Sequence, residues 1–248
     1  MQAAITAAER GHKVTLYEKS NSLGGLLKIT DSDPIKYLLK KYKDYLIRQV
    51  RKHAIDVRLN TDASPELIEA DAPDVVIVAS GSTHIIPNIP GVKGNNVITA
   101  VDAHKPGAKL GNRVVIIGGN LVGCETALYI QHLGKEVTIV EMTDRLYADA
   151  NFAVQMGIKT RLDKGVRCRT NAKCIEISDQ GVHVALKNGN TEIIPADSVI
   201  LAVGMQSTAD TVTSMLNCAV DVVPIGDCVQ PGTIRQASRT AYYAALDI

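Results

Sequence analysis

The 248-residue sequence predicts an α/β fold with a parallel sheet, an antiparallel meander and one structural unit used twice. Three observations predict it. Shifted by about 123 residues, Met1–Glu18 lies on Cys124–Glu141, so that Ala4 meets Ala127, Gly11 meets Gly134, Val14-Thr15 meets Val137-Thr138 and Glu18 meets Glu141. Asp74–Ala79 and Ser198–Val203 are apolar without alternation, the pattern of parallel strands buried on both faces. Asp-Gln-Gly and Asn-Gly-Asn separate Lys173–Ser178, Val182–Lys187 and Thr191–Pro195, which is the turn chemistry of antiparallel hairpins.

Each copy of the repeat reads as a helix, a glycine stop, a β-branched strand and a closing glutamate. The second copy has its leading strand, Arg113–Ile117, and a loop, Gly118–Gly123, that turns into the helix. The counterpart of that strand and loop should precede Met1. The sequence is therefore expected to be a fragment of a longer polypeptide, or to have the gap filled by another segment or a second chain.

The first block runs over residues 1–106. Its helix Gln2–Arg10 stops at Gly11, Lys13–Glu18 is a strand, and Asn21–Leu27 is a glycine-containing loop. Asp33 can cap the next helix, with Pro34 at its first position. Ile35, Leu38, Leu39, Tyr42, Leu46 and Val50 give that helix an apolar stripe, while Lys36, Lys40, Lys43 and Arg51 load its solvated side. Val57–Leu59 is a short strand. Residues 107–204 carry the complete repeat, the meander and the returning strand Ser198–Val203. Residues 205–248 hold a strand at Val222–Ile225 and a helix from Thr233. They are too few for a core of their own, so they are expected to pack on the first block, with 107–204 inserted in a discontinuous domain.

Composition excludes several classes of function. With a formal net charge of +1, no global field favours nucleic acid or an anionic membrane. One Phe, no Trp and eight scattered Tyr offer no stacking platform for single strands. No apolar run suits a membrane span, and Met1 does not open a signal peptide, so the cytoplasm is the expected compartment. The five cysteines form no C-x-x-C and no metal-ligand pair, and no metal is expected. There is no H-E-x-x-H, no G-x-S-x-G and no P-loop.

The glycine loop carries the chemistry. In a Rossmann unit the loop between strand and helix offers backbone N–H groups to a pyrophosphate, the helix N-terminus adds positive potential, and an acid at the end of the next strand accepts from ribose hydroxyls. Gly118, Gly123 and Glu141 fill three of these places, within the loop Gly118-Gly119-Asn120-Leu121-Val122-Gly123. Asn120 stands where a middle glycine is usual; it tolerates a left-handed backbone, and its side chain could crowd the pyrophosphate. A carboxylate at 141 repels a 2′-phosphate, so NAD(H) is expected over NADP(H), with Arg145 nearby to soften the preference. Gly226-Asp227 places an acid at a strand end, suited to a polyol chain.

Read in order, G-H-K-V-T-L-Y-E-K, Gly24-Gly25-Leu26, Ala79-Ser80-Gly81, Ile89-Pro90-Gly91, Gly118–Gly123, Ala202-Val203-Gly204 and Ile225-Gly226-Asp227-Cys228 resemble the two-dinucleotide flavoproteins. More narrowly, the chain is similar to the C-terminal half of the old-yellow-enzyme-linked NADH:flavin oxidoreductases, the group of bacterial 2,4-dienoyl-CoA reductase, enoate reductases and trimethylamine dehydrogenase. The resemblance implies two Rossmann-like ββα domains, the second inserted in the first, that take electrons from NADH to FAD. The acceptor would be an FMN and iron–sulfur barrel domain of a longer polypeptide, or a separate partner; a homodimer is left open. It implies FAD contacts from Glu18 with its neighbour Lys19, Gly24, Gly25, Leu26, Val57, Ala79, Ser80, Gly81, Gly226, Asp227, Thr233 and Ile234. It implies an NADH site at Gly118–Gly123 and Glu141, with Glu125 toward the nicotinamide end and Gly204 at the returning strand. No side chain is singled out as catalytic. The absent first loop puts FAD retention in question, and the alternative functions are a non-catalytic module that holds an ADP-like nucleotide or an inactive fragment of a larger oxidoreductase.

Overall fold

The structure is a computed structural model that describes residues 1–248. Helix α1 (Gln2–Glu9) leads to strand β1 (Thr15–Glu18), helix α2 (Tyr37–Lys52), β2 (Asp56–Leu59), α3 (Pro65–Asp71), β3 (Val75–Val78) and β4 (Ser82–His84). Then come β5 (Val97–Thr99), α4 (Ala100–Ala103), β6 (Arg113–Ile117), α5 (Leu121–His132), β7 (Glu136–Val140), α6 (Phe152–Leu162) and β8 (Val166–Arg169). Strands β9 (Ala172–Ser178), β10 (Gly181–Leu186), β11 (Thr191–Pro195) and β12 (Ser198–Leu201) follow. The chain ends with β13 (Met205–Ser207), α7 (Ala209–Met215), β14 (Asp221–Pro224) and α8 (Ile234–Leu246).

Contacts divide the chain into two compact units. One comprises Met1–Asp31, Lys36–Thr83 and Met205–Ile248; the other comprises Ser32–Ile35 and His84–Gly204. The first division falls upstream of the expected 106/107 boundary because β5 pairs with β12 and so joins the second unit's sheet.

The second unit is layered. Its parallel sheet has the order β5-β12-β6-β7-β8, and β9, β10 and β11 form a separate antiparallel sheet. Side chains alternate across a strand, so β6 sends Val114 and Ile116 into the core shared with α5 and sends Val115 and Ile117 into the core shared with the antiparallel strands. Burial on both faces explains why β6 and β12 read as continuous apolar runs.

At the far end of this sheet from the glycine loop, Asp197 accepts hydrogen bonds from the Arg113 N–H at 2.8 Å and from its Nε at 3.1 Å. The Arg113 guanidinium and these N–H groups push its carboxyl down to about 2. A carboxylate whose pKa is lowered on folding stabilises the fold above its unfolded pKa, and that contribution fades as pH falls toward the folded value. Asp197→Asn should therefore melt below the wild type near pH 6. The gap should close as pH falls from about 4 to about 2 in thermal melts; a gap independent of pH would contradict the assignment.

In the first unit β1 pairs with β2 and β3 with β14, both in parallel. Ala3 and Ala7 of α1 meet Ala241 and Ala245 of α8 around Ile225, small side chains that let two helices approach closely. Only Val78 of β3 is fully buried, a correction to the expectation of a strand covered on both faces: β3 has a hydrogen-bonded neighbour, β14, on one side.

Three further expectations are corrected. Pro34 opens a short 3-10 turn, and the α-helix begins at Tyr37, although Asp33 does accept from the Ile35 N–H at 2.9 Å. The apolar stripe buries Leu46 and Val50 but leaves Ile35 and Leu38 exposed. Lys43 is not on the solvated side: it is buried, its ammonium paired with Asp31 and its stem packed beside Gly24.

Candidate functional site

The complete repeat places its glycine loop at the carboxyl end of β6. Gly118 has φ +107°, and a Cβ there would overlap the Ala202 carbonyl oxygen, so glycine is required both by conformation and by the approach of the chain after β12. A Cβ on Gly123 would overlap the Gly118 carbonyl, so glycine lets α5 start directly against the loop. Gly119 is wedged against Leu146 and the stem of Glu141. At the returning strand end Gly204 is also at positive φ, +117°.

Asn120 does not use a left-handed backbone. Its φ is −66° and ψ 179°, and it is the N-cap of α5. Its Oδ1 accepts from the Gly123 N–H at 2.8 Å, and its Nδ2 donates to the Ala202 carbonyl at 2.6 Å. The side chain is thus turned into the loop as a cap and not out over it.

Glu141 sits directly beside this loop. Its Oε2 accepts from the Gly119 N–H at 2.7 Å, and its Oε1 accepts from the Thr143 N–H and Oγ1, both at 2.8 Å. The carboxylate and the loop amides therefore share one place. Val122 is half exposed at the start of α5, and Glu125 lies one turn on, half-buried.

The segment after Glu141 folds across the loop: the Tyr147 N–H donates to the Gly119 carbonyl at 2.6 Å, and Asp149 Oδ1 accepts from the Leu121 N–H at 2.8 Å. Of the first-turn donors of α5, the Leu121 N–H is held by Asp149 and the Gly123 N–H by Asn120. Sequence reasoning missed Asp149; an acid eight residues past the strand-ending glutamate gives no periodic signal.

A cysteine in the first turn of a helix can be an activated thiolate. Burial decides otherwise for Cys124, which is fully buried with its thiol pushed up to about 12. Its Sγ donates to the Gly119 carbonyl at 3.3 Å, so it packs the loop from below.

In the first unit Glu18 closes β1, next to exposed Lys19, and Val57 lies opposite Leu16 on β2. Glu18 Oε1 accepts from the Ser20 N–H and Oγ at 2.8 and 2.7 Å. Gly24 and Gly25 both have positive φ, +126° and +51°, and Leu26 is exposed. Lys28, which the sequence reading passed over, donates to Ser20 Oγ at 2.6 Å and to the Ser22 carbonyl at 2.8 Å, tying its turn to the serine that holds Glu18.

At the end of β3, Ala79 and Ser80 are exposed, Ser80 Oγ lies 2.7 Å from Thr208 Oγ1, and Thr208 Oγ1 donates to the Gly81 carbonyl at 3.0 Å. Gly226 has φ +63°, and Asp227 accepts from the Gly232 N–H at 3.2 Å and from Ser82 Oγ at 3.4 Å. Thr233 caps α8 in a capping box with Gln236, leaving Ile234 exposed at the first helical position. The structure thus gathers Ser80, Gly81, Ser82 and Asp227 around one strand end, and Glu18, Ser20 and Lys28 around another.

Comparison with known proteins gives the context of these sites. The family model described as pyridine nucleotide-disulphide oxidoreductase matches residues 1–241. An NADH oxidase of Thermoanaerobacter brockii is 38% identical over 254 residues, covering 100% of this chain and 39% of that protein. A cinnamate reductase of Clostridium sporogenes is 34% identical, covering 100% of this chain and 37% of that protein. The solved structure of a 2-naphthoyl-CoA reductase complex superposes with a TM-score of 0.95 at 33% identity, over 100% of this chain and 38% of that one. A histamine dehydrogenase from Rhizobium sp. 4-9, at 22% identity and a TM-score of 0.85, shares the fold. The chain spans about two fifths of the length of these relatives.

Proposed function

Because this chain belongs to the pyridine nucleotide-disulphide oxidoreductase family, we propose that it is the NADH- and FAD-binding module of a larger flavoprotein oxidoreductase. The observation that carries the reading is the Glu141 carboxylate hydrogen-bonded to Gly119 at the rim of a glycine loop that opens a 12-residue helix. The Val122 N–H and the positive end of α5 would meet the pyrophosphate, and Glu141 would accept from the adenosine ribose hydroxyls. A 2′-phosphate would stand against the Glu141 charge, hence NADH over NADPH. On the first unit, Glu18, Gly24, Gly25, Val57, Ser80, Gly81 and Asp227 would hold FAD, and its loss or retention in the isolated chain is directly visible by colour. When both are bound, the nicotinamide supplies hydride and the flavin accepts it. The acceptor beyond FAD would be an FMN and iron–sulfur barrel domain of the same polypeptide or a separate partner.

A second reading, a nucleotide held without turnover, is favoured by one observation: two first-turn donors of α5 are already bonded to Asp149 and Asn120. Anaerobic addition of NADH to FAD-loaded protein decides between the readings. The module reading expects the flavin absorbance near 450 nm to bleach. Nucleotide bound at an unbleached flavin would contradict it and leave the second reading.

Asp149 gives a sharper expectation. Its carboxylate at the helix N-terminus competes with a pyrophosphate for the Leu121 N–H and repels it. Asp149→Asn should bind ADP about threefold more tightly, with adenosine affinity unchanged, by titration calorimetry. Weaker ADP binding by this variant would show that Asp149 helps to hold the ligand.

A further inference from the structure

The strand-ending glutamates of the two units are held in the same way, although the sequences that hold them differ. In the second unit Thr143 donates its N–H and hydroxyl to Glu141 Oε1, both at 2.8 Å. In the first, Ser20 donates its N–H and hydroxyl to Glu18 Oε1 at 2.8 and 2.7 Å. The likeness extends outward. Asn171, at φ +51°, donates its N–H to the Thr143 carbonyl at 2.7 Å, and Ala172 donates to the Glu141 carbonyl at 2.9 Å. Asn60, at φ +52°, donates to the Ser20 carbonyl at 3.0 Å, and Thr61 donates to the Glu18 carbonyl at 3.1 Å. Asn is a usual non-glycine occupant of that left-handed backbone, so each turn is set by its own residue types.

Two copies of one arrangement, 123 residues apart at Ser20 and Thr143, ask for a shared purpose. A free glutamate carboxylate samples many rotamers, and ordering it on ligand binding carries an entropic penalty. A ribose hydroxyl needs an acceptor oxygen presented in a fixed orientation. Charge-assisted bonds from a hydroxyl and an amide two residues on occupy one oxygen, Oε1, and fix the plane of the carboxylate, leaving the other oxygen, Oε2, which in Glu141 also accepts from the Gly119 N–H, with a lone pair to offer.

We propose that Thr143 and Ser20 are positioning residues that pre-orient Glu141 and Glu18 for a ribose diol, and that Thr143 thereby sustains the preference for NADH over NADPH. The inference rests on the nucleotide reading of Glu141 given above. It adds a residue two positions past each glutamate, one that touches the acid and not the nucleotide.

The test uses the full-length protein with Thr143→Val and Thr143→Ser, assayed with both nucleotides, and Ser20→Ala and Ser20→Thr as an independent pair. Thr143→Val should raise KM for NADH about three- to tenfold, with a smaller change in kcat. KM for NADPH should move less, so that the NADH-to-NADPH ratio of kcat/KM falls. Thr143→Ser should restore both, since the hydroxyl returns. Ser20→Ala should lose FAD more readily on dilution and Ser20→Thr should retain it. Thr143 is exposed, so a melting temperature within a degree or two of the wild type is expected for its variants. A Thr143→Val protein with the wild-type KM and ratio would overturn the inference alone. Equal losses for both nucleotides with a large fall in melting temperature would overturn it too, as a merely structural role. A wild-type protein that neither binds nor oxidises NADH would overturn the nucleotide reading and this inference with it.

Discussion

Glu141→Gln is expected to raise KM for NADH about ten- to a hundredfold and to bring NADH and NADPH close to parity. The amide keeps the shape of the side chain but has one acceptor oxygen, so if it accepts from the Gly119 N–H, a bond of 2.7 Å in the native structure, its NH2 faces the Thr143 N–H. It loses the charge and one of the two acceptor oxygens. Hydrogen bonds to a charged group contribute about 1.5–3 kcal/mol, more than neutral ones, so the ribose hydroxyls give up the larger part of their binding energy. A 2′-phosphate escapes the repulsion that the carboxylate imposes. Steady-state kinetics with both nucleotides checks the result. An unchanged ratio would place the ribose somewhere other than Glu141.

Gly118→Ala is expected to destabilise the second unit by about 3 kcal/mol, from a strained backbone and an overpacked contact acting together. The residue stands at φ +107°, and its Cβ would overlap the Ala202 carbonyl, which belongs to backbone and cannot swing away. For a protein of this size that corresponds to a fall of roughly 6–12 °C in melting temperature. Gly157→Ala is the matched control. Gly157 lies inside α6 with nothing within 4 Å of its missing Cβ, so alanine there should stabilise by about 0.5–1 kcal/mol through helix propensity. Thermal melts of the two variants should move in opposite directions. Equal, small shifts would mean that the loop is looser than its geometry implies.

The parts of the fold that were legible in the sequence are those where one local signal agrees with tertiary burial. Arg113–Ile117 and Ser198–Leu201 are apolar on both faces because helices cover one side of the sheet and the antiparallel strands the other. Gly11 and Gly134 stop their helices at φ +94° and +78°, as the repeat required. The glycine loop and the glutamate beside it were legible for the same reason: a glycine loop and an acid at a fixed spacing are local features.

Other features depend on partners far away in sequence. Lys43 read as solvated because a lysine on a helix usually is. Asp31, on a segment 12 residues back, pairs with its ammonium while the lysine side chain itself is buried. Asn120 read as a crowding side chain because sequence shows the residue and not its rotamer; the Gly123 N–H and the Ala202 carbonyl, 82 residues on, draw it inward. Asp149 was invisible because a turn, not a periodic element, carries it back to Leu121. The Ser20 and Thr143 contacts had a signal that went unread, a hydroxyl two residues after each strand-ending glutamate.

The most direct measurement is a structure of the protein with NAD+ bound. The account expects the adenosine ribose hydroxyls within hydrogen-bonding distance of the Glu141 carboxylate, the pyrophosphate over the first turn of α5, and the Asp149 carboxylate moved off the Leu121 N–H. Nucleotide density lying away from Glu141, or a loop at Gly118–Gly123 that stays closed under Asp149 at saturating nucleotide, would contradict it.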